Sequence, residues 1–341
     1  MSGKNTTHAG KAACAPVVNA LTIKVLKGKL TIAAILLTTL VAAILFALFF
    51  GSEKLAFFDL DEAQKTILFD IRLPRVLLGA CVGASLAVAG ASLQSLLRNP
   101  LAEPYLLGVS NGAALGTMLA FVFFSQFEFA RPICAILGAG LATTAVYQMA
   151  KSRTGMNVER LVLAGVIVTT FLSSIIVLLT SLLDAAKLRS FTFWLLGDLS
   201  QATTNGFYLT AISVIVGTIV LASQAKALNL MMIGERDAFD FGVETGKVRL
   251  IVFAASSALV GISVAASGSV GYVGLIVPHL IRLSIGSDNR HVIPLSAISG
   301  AIFVVLADTI ARIAIAPREL PVGAITALIG APMFIYLLRK S

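Results

Sequence analysis

Ten apolar runs, each close to the length at which an α-helix crosses a bilayer, set what this chain can become. They fall near residues 30–50, 73–97, 105–125, 132–150, 161–182, 204–223, 250–267, 271–286, 293–313 and 322–338. About 20 predominantly apolar residues span the hydrocarbon core as a helix. Lipid offers no partner to backbone N–H and C=O groups, so a spanning segment must pair its own, which a helix does. Only 13% of the 341 residues are charged, whereas a soluble domain has about 25%. Such a chain cannot cover itself for water. We expect an all-α polytopic membrane protein with ten transmembrane helices. Residues 1–29 read as an N-terminal tail and 30–341 as one transmembrane domain. Lys24, Lys27 and Lys29 precede the first run, but it exceeds the roughly 7–15 residues of a signal-peptide core, so we read it as the first span.

An even number of spans puts both termini on one side. With the termini in the cytoplasm, seventeen of the 26 lysines and arginines lie inside and nine outside, the polarity that the positive-inside rule favours. The net charge of +9 is then a basic cytoplasmic face, and no nucleic-acid partner is expected. The nine outer cations, Arg72 and Arg75 among them, are more than passive loops need. Cys14, Cys81 and Cys134, like His8, His279 and His291, are too scattered for a disulfide framework or a metal site.

The loops leave no room for a catalytic domain. The nearest look-alike of a phosphate-cradling G-x-x-x-x-G-K-[ST] motif is Gly246-Lys247, but Val248 follows and Phe241 stands where the first glycine belongs. The chain is therefore expected to hydrolyse no ATP and to be no enzyme. Buried charge is sparse. Asp308, with Arg312 four residues on along the same helix face, reads as an ion pair.

The stretch from Asp70 to Gly116 touches both ends of a potential path. It opens on Arg72-Leu73-Pro74-Arg75, continues through closely spaced small residues that let helices approach, and breaks at Arg98-Asn99-Pro100 and Glu103-Pro104. Pro278 is expected to interrupt a later span. Gly83-Ala84-Ser85-Leu86-Ala87-Val88-Ala89-Gly90 is echoed by Gly261-Ile262-Ser263-Val264-Ala265-Ala266-Ser267-Gly268. The two spans run in opposite directions, as an inverted repeat requires. The longest inner loop, about 224–249, reads as two short helical turns joined at Gly234. The outer segment from Asp184 to Thr203 reads as a short interfacial helix, with Trp194 at headgroup depth.

Together these residues resemble a family. R-L-P-R (72–75), the G-A-S-L-A-V-A-G-A-S-L-Q run (83–94), N-P-L-A-E-P (99–104), L-G-V-S-N-G-A (107–113), G-S-V-G-Y-V-G-L-I-V-P-H-L-I-R (268–282), A-D-T-I-A-R (307–312) and E-L-P-V-G-A-I-T-A-L-I-G-A-P-M-F (319–334) occur in the order found in the permeases of bacterial ATP-binding-cassette (ABC) importers for iron–siderophore, haem and vitamin B12. The resemblance implies a type II ABC importer permease fold in the inner membrane, working as a homodimer. It implies two separate ATPase subunits, which carry the ATP and Mg, and a periplasmic or lipoprotein substrate-binding protein. No cofactor is implied in this chain. Arg72, Arg75 and Arg312 match positions that dock the binding protein. Gly234, Glu235, Ala238 and Gly242 match the loop that couples to the ATPase. Asn99 and Leu101 match a cytoplasmic gate. The rival readings are a self-powered secondary transporter built from inverted repeats and a membrane anchor with no transport role.

Overall fold

The computed structural model describes residues 9–51, 61–124, 126, 127, 129–152 and 155–340. It is helical throughout apart from one two-stranded turn. The first helix, α1 (Ala9–Phe49), is followed by α2 (Glu62–Thr66), a π-helical segment Ile67–Arg72, and α3 (Leu73–Leu96). A 3-10 turn Pro104–Leu107 precedes α4 (Val109–Phe123) and α5 (Ala130–Ala150). Strands β1 (Lys151–Ser152) and β2 (Gly155–Met156) pair antiparallel. Helices α6 (Val158–Thr180), α7 (Ala185–Leu195), α8 (Thr204–Ser223), α9 (Ala225–Ile233) and α10 (Glu235–Asp240) follow. Helices α11 (Thr245–Ser267), α12 (Val273–Ile285), α13 (Asn289–Ile313) and α14 (Val322–Lys340) close the chain.

Each expected run coincides with an apolar helix. Among the described residues seven helical stretches are long enough to cross a membrane, and three more, Val109–Phe123, Val273–Ile285 and Val322–Tyr336, are shorter. Three boundaries differ from expectation. Helix α1 begins at Ala9, so residues 9–29, expected in the tail, are helical, while 1–8 lie outside the described residues. The Arg72–Arg75 motif sits inside a helix continuous from Glu62 to Leu96 and does not begin one. Pro74 is accommodated there because the wider π turn just before it leaves room for its ring. Pro278 lies within α12 and does not end it.

Helix α3 is the central element. Of its most apolar stretch 83% is buried, against 11% for α1 and for α8, and it packs on α13, α11, α8 and α12. A membrane offers helices no hydrophobic drive to associate, so close van der Waals packing through small residues must supply it. Gly83 and Gly300 bring the backbones of α3 and α13 together, and Gly90 and Gly274 do so for α3 and α12. A Cβ at either α3 glycine would overlap the facing backbone. The proline in α12 removes the N–H that would have bonded Gly274 O. The buried Gln94 amide compensates, donating to Leu275 O at 3.0 Å and Gly274 O at 3.4 Å.

The pairings show an internal exchange. Helix α3 packs on α13 and α12, and its sequence echo α11 packs on α5 and α4. Helices α4–α5–α6 contact one another as α12–α13–α14 do. Helices α3 and α11 are each followed by a left-handed residue, Arg98 (φ 49°) and Gly268 (φ 67°). Helices α4 and α12 each start after one, Gly108 (φ 76°) and Tyr272 (φ 68°). The echo between 83–90 and 261–268 therefore belongs to a repeat of four helices, α3–α6 and α11–α14.

Candidate functional site

Two polar constellations stand at opposite ends of α3. The outer one is built from α3, α13 and the end of α1. Asp308 is 2% exposed. Its Oδ1 accepts from Nε and NH2 of Arg75 at 3.0 and 2.9 Å, and its Oδ2 lies 3.0 Å from Nε of Arg312. The helical spacing that suggested an Asp308–Arg312 pair therefore produces one. NH1 of Arg75 donates to Glu319 at 2.6 Å.

The arginines also close a helix. The last carbonyls of α1 have no intrahelical N–H to accept from. NH2 of Arg312 donates to Ala47 O at 2.9 Å, and NH1 of Arg72 to Leu48 O and Phe49 O at 2.9 and 3.1 Å. Two guanidiniums thus satisfy the C-terminus of α1 and meet its negative dipole end. Arg72, Arg75 and Arg312 are brought together as a buried cluster and not as free surface tips. Arg75 lines a cavity of about 310 Å³ with Arg189, Asp198 and Glu319.

Trp194 is half-buried and stacks on the buried Phe191 of α7, with ring centroids 6.2 Å apart. The carbonyl of Trp194 abuts Gly268 and that of Leu196 abuts Gly323. The short outer helix is thus docked into the bundle by its C-terminal end, where headgroup depth alone was expected to place its tryptophan.

The inner constellation starts where α3 stops. Arg98 N–H bonds Ser95 O at 3.3 Å and Asn99 N–H bonds Gln94 O at 3.0 Å, which is the Schellman closure with Arg98 in the position that glycine usually holds. Asn99 Oδ1 accepts from Leu101 N–H at 2.9 Å, fixing the exposed turn in which Asn99 and Leu101 lie. From there the chain turns back. Glu103 Oε1 accepts from Tyr272 N–H at 3.0 Å, and Tyr105 Oη bonds both N–H and C=O of Val270 at 2.9 Å. The break after α3 is thereby fastened to the break after α11.

The expected pair of helical turns is α9 and α10, joined at Gly234. Ala238 is fully buried, while Ile233, Phe239 and Phe241 are each more than 70% exposed. Helix α10 ends in a second Schellman closure, with Gly242 N–H to Phe239 O at 2.8 Å and Val243 N–H to Ala238 O at 2.9 Å. Gly242 there has φ 80°, which explains the glycine. Glu235 pairs with Arg249, and both line a cavity of about 350 Å³ with Leu96, Leu97 and Arg98. Of the residues matched to the coupling loop Glu235 borders this space, while Asn99 and Leu101 of the matched gate follow directly after Arg98 and do not line it.

Sequence reasoning missed the polar residues that join them. Asn229 on α9 donates to Asp288 Oδ1 at 2.7 Å and accepts from the backbone and side-chain amides of Asn289, both at 2.9 Å. Asn289 Oδ1 accepts from Ser95 at 2.7 Å and Arg282 at 3.0 Å. Hydrogen bonds, above all with the Arg290 side chain, hold the Asp288 carboxyl below the usual carboxylate range. Among the described residues no group of His, Cys, Asp or Glu is arranged to hold a metal ion.

With this geometry the comparisons agree. The FecCD transport family matches residues 31–340. The chain belongs to the FecCD transport family. It is 40% identical to the cobalamin import system permease of Halobacterium salinarum, over 83% of this chain and 76% of that one. It is 39% identical to the hemin transport system permease of Yersinia pestis, over 82% and 85%. A solved structure described as an inward-facing ABC transporter of metal-chelate type superposes with a TM-score of 0.83 at 33% identity, covering 92% of this chain and all of that one. The chain is thus a multi-pass ABC importer permease of the FecCD family.

Proposed function

We propose that this permease carries a bulky metal chelate (an iron–siderophore, haem or a corrinoid) inward across the cytoplasmic membrane by alternating access, as a homodimer driven by two separate ATPase subunits. The observation that carries the substrate class is the near-40% identity to permeases named for cobalamin and hemin. The α9–α10 pair supports the ATPase partner. It holds Ile233, Phe239 and Phe241 exposed on a short rigid hairpin, an apolar surface suited to seat in a partner's cleft. Both termini then lie in the cytoplasm, as the charge polarity requires.

At the outer face a substrate-binding protein docks over the arginine cluster. Arg75, reached through the cavity it shares with Arg189 and Glu319, exchanges Glu319 for a carboxylate of that protein. Arg72 and Arg312 hold the floor beneath it. Such charge matching sets register and encounter rate.

Reconstitution in proteoliposomes with the cognate ATPase and binding protein tests the reading, with labelled siderophores, haem and cobalamin offered in turn. Uptake of one of them should require ATP and vanish when the phosphate-binding lysine of the ATPase is replaced. Uptake that persists without ATP and collapses with the proton gradient would overturn it in favour of a secondary carrier.

A further inference from the structure

The polar cluster under α3 lies where four segments meet, and its hydrogen bonds join them. Asn229 belongs to α9, Asn289 and Asp288 to the turn into α13, Ser95 to the last turn of α3, and Arg282 to the last turn of α12. Asn289 is fully buried. Its backbone N–H and amide nitrogen reach Asn229, the latter also lying 3.4 Å from Met232 Sδ, and its oxygen takes Ser95 and Arg282. Arg282 donates further to Ser95 Oγ at 2.7 Å and Ala91 O at 2.9 Å. Each side-chain nitrogen and oxygen of the two asparagines has at least one partner. Apolar packing alone lets helices slide. A satisfied buried network fixes one relative geometry, because any displacement strands several polar groups at once.

The position of the cluster gives that rigidity a use. Asn229 lies on the helix that leads through Gly234 into α10. Ser95 lies four residues before Asn99, in the turn closed by Arg98 N–H to Ser95 O and Asn99 N–H to Gln94 O. A displacement of α9 therefore reaches the α3 end bearing Asn99 and Leu101 through two side-chain contacts, Asn229 to Asn289 and Asn289 to Ser95. We propose that Asn229, Asn289, Ser95 and Arg282 form a transmission joint, a set of positioning residues that convert movement of the α9–α10 pair into movement of the α3 gate turn. The joint rests on the reading of α9–α10 as the ATPase-facing element.

The test uses the complete reconstituted transporter and follows ATP hydrolysis and chelate uptake in the same vesicles, alongside thermal unfolding of the permease. Asn229→Ala leaves Asn289, Ser95 and Arg282 bonded to one another and cuts the joint on the α9 side. Ser95→Ala removes the direct bond on the α3 side, leaving only the route through Arg282 to Ala91 O, and serves if the first variant fails to fold. Each should lower uptake per ATP hydrolysed by about tenfold, within the 5–150-fold range typical of coupling between sites, while ATPase binding and hydrolysis stay within about twofold. The double variant should uncouple no further than either single one, because both cut the same chain of contacts. Unchanged uptake per ATP, or hydrolysis and uptake falling in proportion, overturns the joint. Failure of the unmodified permease to bind any ATPase overturns the reading beneath it instead.

Discussion

Arg75 and Asp308, 233 residues apart in the chain, meet through two hydrogen bonds to a single carboxylate oxygen, with both side chains almost fully buried. A buried pair of this kind gives little net stability over an apolar one, but removing one member strands the other charge. Asp308→Asn leaves Arg75 and Arg312 facing each other without their shared anion. It should cost about 3–5 kcal/mol, read as a lowered unfolding midpoint in detergent. Arg75→Gln with Asp308→Asn should recover part of that loss. If Arg75 docks the binding protein, uptake stays impaired in the recovered double variant, which separates docking from folding.

Gly90 and Gly83 make a second prediction. Alanine at Gly90 would place a methyl group inside the Gly274 backbone, and at Gly83 inside that of Gly300. Backbone cannot rotate away as a side chain can, so α3 must shift from its neighbours. Each substitution should destabilise by about 1–3 kcal/mol or more. Gly140→Ala, in α5 with open space around it, should be neutral or stabilising by up to about 1 kcal/mol. Equal effects at all three positions in thermal unfolding would contradict the packing described.

What the sequence disclosed follows from how each feature is encoded. Helices were legible because hydropathy is local, and the α3 break because Pro100 and Pro104 cannot continue a helix. The Asp308–Arg312 pair was legible from a spacing of four. Arg75 to Asp308, Gln94 to Leu275 and Asn229 to Asn289 were not, because they join residues 60 to 233 positions apart and leave no periodic trace. Nothing in the local sequence sets Asn229 or Asn289 apart from other polar residues near helix ends. Arg98 hid the closure of α3, since the expected residue for a left-handed cap is glycine. The burial of Arg72, Arg75 and Arg312 escaped for a related reason. Nothing in R-L-P-R announces that the C-terminus of α1 will need the Arg72 guanidinium.

Gly242 offers a cleaner separation of conformation from contact. A Cβ there would meet nothing within 4 Å, so Gly242→Ala is opposed only by the left-handed backbone, at about 1–2 kcal/mol. The cost falls on the end of α10. Affinity for the ATPase subunit, measured by titration in nanodiscs, should drop by about tenfold. Gly242→Asn, which tolerates this conformation better, should retain most of it.

Asp288 predicts an acid limit. It caps α13, accepting from the Arg290 backbone N–H at 3.1 Å, and takes the Arg290 side chain and Asn229. Its folded-state affinity for protons is lowered, first by the hydrogen bond from Arg290. A lowered pKa means that this group stabilises the fold above its unfolded value, about 3.9, and that the contribution disappears as pH falls below that value. Stability from Asp288 should thus be constant from pH 5 to 8 and decline below about pH 4. In Asp288→Asn the corresponding part of the acid-side slope should be absent from unfolding midpoints recorded across that range.

The fastening of the two breaks makes the last prediction. Tyr105 Oη is both donor and acceptor to Val270, and Glu103 holds the Tyr272 N–H at the start of α12. Tyr105→Phe keeps the ring and removes only the hydroxyl, stranding a backbone N–H and C=O in a half-buried setting. The cost should be about 1–3 kcal/mol per unsatisfied group, less whatever water recovers. Glu103→Gln keeps an oxygen that can accept from Tyr272 N–H but loses the charge that favours the positive end of α12. It should therefore cost less than Tyr105→Phe in thermal unfolding. The reverse order would mean that the carboxylate charge, and not the tyrosine hydroxyl, carries the fastening between the α3 and α11 breaks.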